Sequence, residues 1–331
     1  MSAIDLAFLS SDAGKSAEWS FRGSKWWIRL ASRCSGPDCP KLAKLWPHWL
    51  SKSEGVEFEG KWYCSRGCLE VVLAGRVHAL LSTSHLEKPR AHRFPIGLLL
   101  VHSGAISHSQ LREAIRMQRE SGRGRLGDWL RHTTDLSVQQ LTAALGQQWG
   151  CPVFPLEQQS APVAWSDLIP LPLLESAAAV PAYASSDGRL LHLAFRDRVD
   201  HTLLYAVEQM LLCRTFPCVA TGTAIHAQLE RFRKLTSGND TSFDSVRESH
   251  EMTWTICNYA VELHAKRLVL ARAGAYIWVR FFRAEAARDL LFRILPDNHP
   301  NFADRPPALP KVFSDSADDR KGRVSDALLP L

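Results

Sequence analysis

GLLLVHSGAISHSQLREAIRMQ, residues 97–118, returns thirty positions later as GDWLRHTTDLSVQQLTAALGQQ, residues 127–148. Gly97 aligns with Gly127, Leu100 with Leu130, His102 with His132 and Ser107 with Ser137. Gln110-Leu111 aligns with Gln140-Leu141, Ala114 with Ala144, Ile115 with Leu145, and Gln118 with Gln148. A tandem repeat of this length predicts two like supersecondary units side by side, presenting paired surfaces. Each copy reads as a Gly-containing apolar helix, a turn, and a second helix capped by Ser107 or Ser137. Leu111, Ala114 and Ile115, then Leu141, Ala144 and Leu145, recur at helical spacing.

Outward from the repeat the pattern changes. Val180–Ala184 and Arg189–Phe195 flank Ser186-Asp187-Gly188, a hairpin turn signal. Residues 201–212 read as a helix, Cys218–Thr221 as a short strand and Ala224–Arg233 as a helix. Residues 253–264 read as a helix, and Arg267–Leu270 and Tyr276–Phe282 as strands around Gly274. The fold class expected is α+β. Residues 1–81 hold a Trp-rich segment (Trp19, Trp26, Trp27) and a small zinc-binding module ending in an apolar helix, Leu69–Leu81. A linker, 82–92, leads to a domain at 93–234, with helical-hairpin repeats at 93–150 and an α/β part at 151–234. A polar linker at 235–250, a short α/β segment at 251–295 and a Pro-, Asp- and Ser-rich disordered tail at 296–331 complete the expected order.

The chain has 331 residues, enough for two or three domains, and 46% hydrophobic with 22% charged residues suits a globular protein. No apolar run reaches 18 residues, so no transmembrane helix and no direct membrane insertion are expected. The N-terminus carries Asp5 and lacks a basic n-region, which argues against a secretory signal and for a cytoplasmic location. The net charge of +6 is modest, and no nucleic-acid partner is expected. Arg112, Arg116, Arg119, Arg123, Arg125 and Arg131 outnumber Glu113, Glu120 and Asp128 across the repeats. That excess suits either an anionic ligand or a solvated helix face.

Four of the eight cysteines form two close pairs, Cys34-x4-Cys39 and Cys64-x3-Cys68. Four thiolates make a closed tetrahedral zinc site with no open position for catalysis, so a structural zinc ion is expected. The stretch Lys61-Trp62-Tyr63-Cys64, then Gly67-Cys68-Leu69, reads as a strand, a knuckle and a helix, and resembles a treble-clef zinc finger. His48 is a spare ligand, better read as packing between Trp46 and Trp49. Cys151, Cys213, Cys218 and Cys257 read as buried apolar residues.

The stretch from Arg93 to about Phe232 resembles the N-terminal domain of type II secretion and type IV pilus assembly ATPases, the GspE-N or MshEN domain. The carrying motif is Arg-Leu-Gly-x-x-Leu-x-x-x-Gly, six residues, then Leu-x-x-x-Leu-x-x-Gln, in tandem. In members of that family that bind cyclic di-GMP, the two motifs take this symmetric dinucleotide. The resemblance implies contacts at Ile96, Gly97, Leu100, Gly104, Leu111, Ile115 and Gln118. In the second copy it implies Arg125, Leu126, Gly127, Leu130, Leu141, Leu145 and Gln148, with Asp197 at a family Asp-Pro position. Two positions depart from the pattern: Pro95 replaces the first Arg, with Arg93 two residues earlier, and Thr134 replaces the later Gly. The other role of such domains is to dock a secretion or pilus component without nucleotide, and both readings stand at this point.

Residues 253–283 resemble the start of the next domain in secretion ATPases, and the chain ends before any ATPase core begins. Gly14-Lys15-Ser16 looks like the end of a P-loop, but Leu9 stands where its first Gly belongs. No Gly-x-Ser-x-Gly elbow or His-Glu-x-x-His is present. The expected function is non-enzymatic: a regulatory or adaptor protein.

Overall fold

A computed structural model describes residues 34–37, 39, 55–82, 93–158, 165, 167–235, 240–244, 248–283 and 287–294. The Trp-rich residues 1–33, His48, most of the 82–92 linker and the 296–331 tail lie outside the described residues. The described part is α+β. A hairpin, β1 (Val56–Phe58) and β2 (Lys61–Tyr63), precedes helix α1 (Arg66–Ser82). The repeats follow as α2 (Ile96–His102), α3 (His108–Ser121), α4 (Leu126–Thr133) and α5 (Val138–Trp149). Then come α6 (Leu171–Ala177), β3 (Ala179–Ala184), β4 (Leu190–Phe195), α7 (His201–Leu211), β5 (Arg214–Val219) and α8 (Gly222–Leu235). The last elements are β6 (Asp240–Phe243), α9 (Ser249–Glu262), β7 (Arg267–Ala273), β8 (Tyr276–Phe282) and β9 (Ala287–Arg293).

Repeated polar residues start the repeat helices. Ser107 Oγ accepts from the Gln110 amide at 3.2 Å, and Gln110 Oε1 accepts from the Ser107 amide at 2.7 Å. Ser137 and Gln140 make the same reciprocal pair at 3.1 and 2.9 Å. Each capping box satisfies two amides that a helix start otherwise leaves open. Helix α2 packs on α5 and α3 on α4, so the hairpins interlock across the repeat boundary. Leu100, Ala114 and Leu130, each 0% exposed, form the centre of this small core.

The α/β part builds a three-stranded sheet in the order β3-β4-β5. The Ser186-Asp187-Gly188 turn joins β3 and β4 antiparallel, and α7 carries the chain across to β5, parallel to β4. Strand β5 starts at Arg214, earlier than the Cys218 start expected, because its ladder with β4 already begins at Leu190–Arg214.

The second sheet changes how the termini relate. Its order is β2-β1-β7-β8-β9-β6. The hairpin before the repeats therefore joins the strands after them, β1 running parallel to β7 through Glu57–Arg267 and Phe58–Leu268. The segments read separately as a zinc module and a C-terminal α/β piece share this sheet and one core with α1 and α9. The polar 235–250 stretch, expected as linker, contributes β6, whose Asp240–Phe243 pairs in parallel with β9. Its polarity is that of a short edge strand.

Alternation decides which face of the sheet meets what. Leu268, Leu270, Ile277, Val279, Phe281, Leu290 and Phe292 face α1 and α9. Ala271, Ala273, Trp278 and Leu291 face the α/β part, where α7 lies against β7. On that second face Arg280 and Asp289, 3% and 5% exposed, stand opposite each other across β8 and β9. Arg280 Nη2 donates to Asp289 Oδ2 and to the Leu168 carbonyl, both at 2.6 Å, and Trp278 Nε1 donates to Asp289 Oδ1 at 2.8 Å. Fully paired, the buried charges bridge the sheet to the chain leading into α6. Among the described residues no helix is long and apolar enough to cross a membrane.

Removing one partner strands the other charge in the core. Asp289→Ala is expected to lose about 3–5 kcal/mol in urea unfolding, while Arg280→Met/Asp289→Leu recovers most of it. A loss below about 1 kcal/mol for the single variant would contradict a desolvated pair.

Candidate functional site

The two predicted cysteine pairs converge. The Sγ atoms of Cys34, Cys39, Cys64 and Cys68 all lie within 4.8 Å of one another. Cys39 and Cys64 stand 3.5 Å apart and Cys64 and Cys68 4.0 Å apart, near the ~3.8 Å edge that four 2.3 Å metal–sulfur bonds in a tetrahedron require. The cluster can hold a metal ion. Strand β2 delivers Cys64, and the first turn of α1 delivers Cys68.

Local geometry already points donors at sulfur. The amides of Gly36 and Cys64 both donate to Cys34 Sγ at 3.4 Å. Such bonds orient a ligand sulfur. Gly36 is required here, since a Cβ on it would lie 2.8 Å from Cys68 Cβ. Burial, then contact with Cys39 and Cys34, pushes the Cys64 thiol up to about 12, and burial first also raises Cys68. For Cys64 and Cys68 burial favours the protonated thiol, and a bound divalent cation would favour the thiolate. The remaining cysteines differ: burial raises Cys213 to about 11 and Cys218 and Cys257 to about 12, as for apolar core residues.

At the repeats, the residues named from the family pattern divide into two groups. Leu100, Leu111 and Leu130 are buried in the small core and support the surface from beneath. Ile96, Ile115, Leu126, Leu141 and Leu145 are half-buried, and Gly104 and Arg125 are exposed. The hollow left by Gly97 is filled by the Leu111 side chain, 2.5 Å from where a Cβ would stand; Leu141 approaches Gly127 in the same way at 3.1 Å.

The two glutamines reveal the symmetry of the unit. Gln118 Nε2 donates to the Gly124 carbonyl at 3.0 Å, and Gln148 Nε2 to the Phe94 carbonyl at 2.8 Å. Gly124 lies three residues before Gly127, and Phe94 three before Gly97. Each repeat's glutamine thus braces the approach to the other repeat's glycine helix.

The departures from the family pattern have structural consequences. Pro95 caps α2 where Arg125 caps α4, so the first half lacks a guanidinium at that place. Arg93 lies over the Trp149 ring, 3.3 Å from its centroid, and burial and then Arg198 hold its pKa below the usual arginine value. Where the first copy turns on Gly104 with φ +72°, Thr134 stays extended. Its Oγ1 donates to the Leu130 carbonyl at 2.7 Å and accepts from the Leu136 amide at 3.2 Å. The threonine closes the turn without a left-handed residue.

Asp197 sits where the repeats meet the α/β part. Its carboxylate pairs with Arg125 and accepts from Arg196 Nε at 2.5 Å. Its carbonyl accepts from Trp149 Nε1 at 3.0 Å. Arg125 and Arg196 thereby share one acidic residue, while Arg93 lies over Trp149 beside it. Arg116, by contrast, belongs to the solvated helix face, paired with Glu113 at 2.6 Å and Glu120 at 2.7 Å. Trp149 and Arg196 are the site residues that the sequence reading missed. The Phe-Arg-Asp-Arg segment was a usable signal for Arg196; nothing local marks Trp149.

No protein-family model matches the chain, and no curated protein matches it. Among solved structures, it is similar to MshE with cyclic di-GMP (cdg) at 29% identity, covering 42% of this chain and 99% of that one, with a TM-score of 0.37. It is also similar to the N-terminal domain of XpsE at 21% identity, covering 41% of this chain and 92% of that one, with a TM-score of 0.31. A second crystal form of the XpsE domain gives 21% identity, coverage of 40% and 90%, and a TM-score of 0.25.

The thiol centre sets a pH dependence. Protons compete with metal for the four sulfurs, so acidification weakens metal retention and the metal-dependent part of stability falls with it. In metal-free protein the sign reverses. With Cys64 raised to about 12, unfolded thiols near 8.5 ionise first, and stability falls as pH rises between these values. Thermal melts with and without added zinc from pH 5 to 10 are expected to diverge most above neutrality; parallel curves would contradict the site.

Proposed function

We propose that the chain is a non-enzymatic regulatory or adaptor protein whose twin repeat takes cyclic di-GMP and whose four cysteines hold a structural zinc ion. The observation that carries the ligand reading is the reciprocal bracing by Gln118 and Gln148. A receptor surface with approximate two-fold symmetry suits a ligand with two bases and two phosphates. Arg125 supplies a planar fork for one phosphate. Half-buried Ile96, Ile115, Leu126, Leu141 and Leu145 offer apolar surface for flat rings, over a floor of Leu100, Leu111 and Leu130. Asp197 lies at the margin of this face and keeps Arg125 in place. The similar solved structure of MshE with cyclic di-GMP is in keeping with this ligand class.

Zinc is the metal that suits four thiolates at tetrahedral spacing, and the closed ligand set makes it structural. On this reading the protein works in the cytoplasm, with a secretion or pilus component as its partner. A second reading has a specific observation behind it. Phe94 and Leu98, 72% and 49% exposed, flank the glycine of the first motif, where Pro95 removes a phosphate ligand. On this reading the apolar edge docks that component without nucleotide.

Calorimetry with cyclic di-GMP is expected to show binding that Arg125→Ala weakens by one to two decades, the equivalent of about 1.5–3 kcal/mol. No heat at high micromolar ligand, with Phe94→Ser abolishing partner capture instead, would establish nucleotide-free docking.

A further inference from the structure

The thiol centre is open on one side, and that side leads into a cavity. Cys34, Cys39 and Cys68 are buried at 5%, 6% and 8% exposure, whereas Cys64 is only half-buried. Cys64 also lines a cavity of about 280 Å³ between the hairpin and the end of α9. Tyr63, Ser65 and Arg66 form one wall, and Val261, His264 and Lys266 the other. A molecule of two heavy atoms enters such a space easily. Arg66, His264 and Lys266 give the cavity a basic lining, and Cys39 Sγ lies 3.5 Å from Cys64 Sγ.

From this arrangement we propose that Cys64 is a peroxide-modifiable zinc ligand, and that its oxidation to a Cys39–Cys64 disulfide releases the metal. The proposal rests on zinc occupancy of the four-cysteine centre. Susceptibility to oxidation follows thiolate character and access, and Cys64 combines both. In the first step its thiolate attacks one oxygen of hydrogen peroxide and the O–O bond breaks. Sulfur loses two electrons and becomes sulfenic acid, while the leaving hydroxide takes a proton and departs as water. In the second step the Cys39 thiolate attacks Cys64 sulfur. The S–S bond forms, the S–O bond breaks, and the second hydroxide leaves as water. One peroxide and two protons are consumed, giving one disulfide, two waters and one free zinc ion. Bonding brings the sulfurs from 3.5 Å to about 2.05 Å, a movement within reach of a loop residue such as Cys39. Cys68, at 4.0 Å and fixed in α1, is the poorer resolving thiol.

The outcome bears on the whole sheet. Strand β2 ends at Tyr63, next to Cys64, and β1 continues the ladder into β7. Loss of two ligands therefore loosens the edge of the six-stranded sheet, which makes the centre a redox-sensitive element of the fold.

The test uses the full chain purified in reductant and then desalted. Zinc is first quantified by elemental analysis, and hydrogen peroxide is added in stoichiometric steps with a chromogenic chelator present. Non-reducing peptide mapping follows. The expected result is one zinc released per peroxide consumed, with Cys39 linked to Cys64, and reversal by dithiothreitol plus zinc. Val261→Trp, at a cavity residue 53% exposed, should keep full zinc content and slow release severalfold by covering the mouth. Absence of zinc at the outset overturns both the zinc reading and this proposal. Retained zinc under peroxide, a Cys64–Cys68 link as the main product, or unchanged release from Val261→Trp overturns this proposal alone.

Discussion

Glu57 and Phe58 pair in parallel with Arg267 and Leu268, and this two-residue seam between β1 and β7 organises the molecule. A hairpin of two three-residue strands has too little ladder and too little apolar area to stand alone in water. Two anchors hold it. At one end the four sulfurs gather around a common centre, and along its length the hairpin joins a sheet formed some two hundred residues later. Phe58, Leu69, Leu73 and Val77, all at most 2% exposed, fill the core shared with α9. Burying side chains of this size contributes about 1.5–3 kcal/mol each, so the seam is held by packing as much as by its hydrogen bonds.

Closing that seam makes the intervening residues an insertion between two halves of one sheet-containing unit. The α/β part then packs on the opposite face of the same sheet, and Arg280 with Asp289 connects the layers through the Leu168 carbonyl. The twin repeat has its own small core and meets the remainder through Asp197, Trp149 and the contact of α5 with β5. Arg125 therefore lies at the junction with the α/β part. The thiol centre sits at the far edge of the other sheet. The two places connect to this sheet through different elements, the repeat by way of the α/β part and α7 on β7, the thiol centre by way of β1.

Local chemistry was legible in the sequence; long-range partnership was not. Ser107 and Ser137 announced their helices because an N-cap is read within four residues, and Ser186-Asp187-Gly188 announced its hairpin for the same reason. The cysteine spacing singled out the four sulfurs that the fold brings within 4.8 Å of one another. What escaped was whatever depends on residues far apart in the chain. The Glu57–Arg267 pairing joins short strands whose composition says nothing about a partner, and β6 looked like linker because Asp240-Thr-Ser-Phe243 is polar. The mutual bracing by Gln118 and Gln148 needed the interlocked hairpins to be seen, although both glutamines were singled out for hydrogen bonding. Pro95 and Thr134 were visible as departures, but the threonine's side-chain closure of the turn was not.

The central claim is that the cysteine hairpin and β7–β9 form one cooperative unit despite their separation in sequence. Amide hydrogen exchange with mass readout, before and after metal removal by chelator, addresses it directly. The account predicts that protection falls together in β1, β2, α9 and β7, while the repeat helices α2–α5 keep theirs. Loss of protection confined to residues 55–68, with β7 and α9 unchanged, would contradict it.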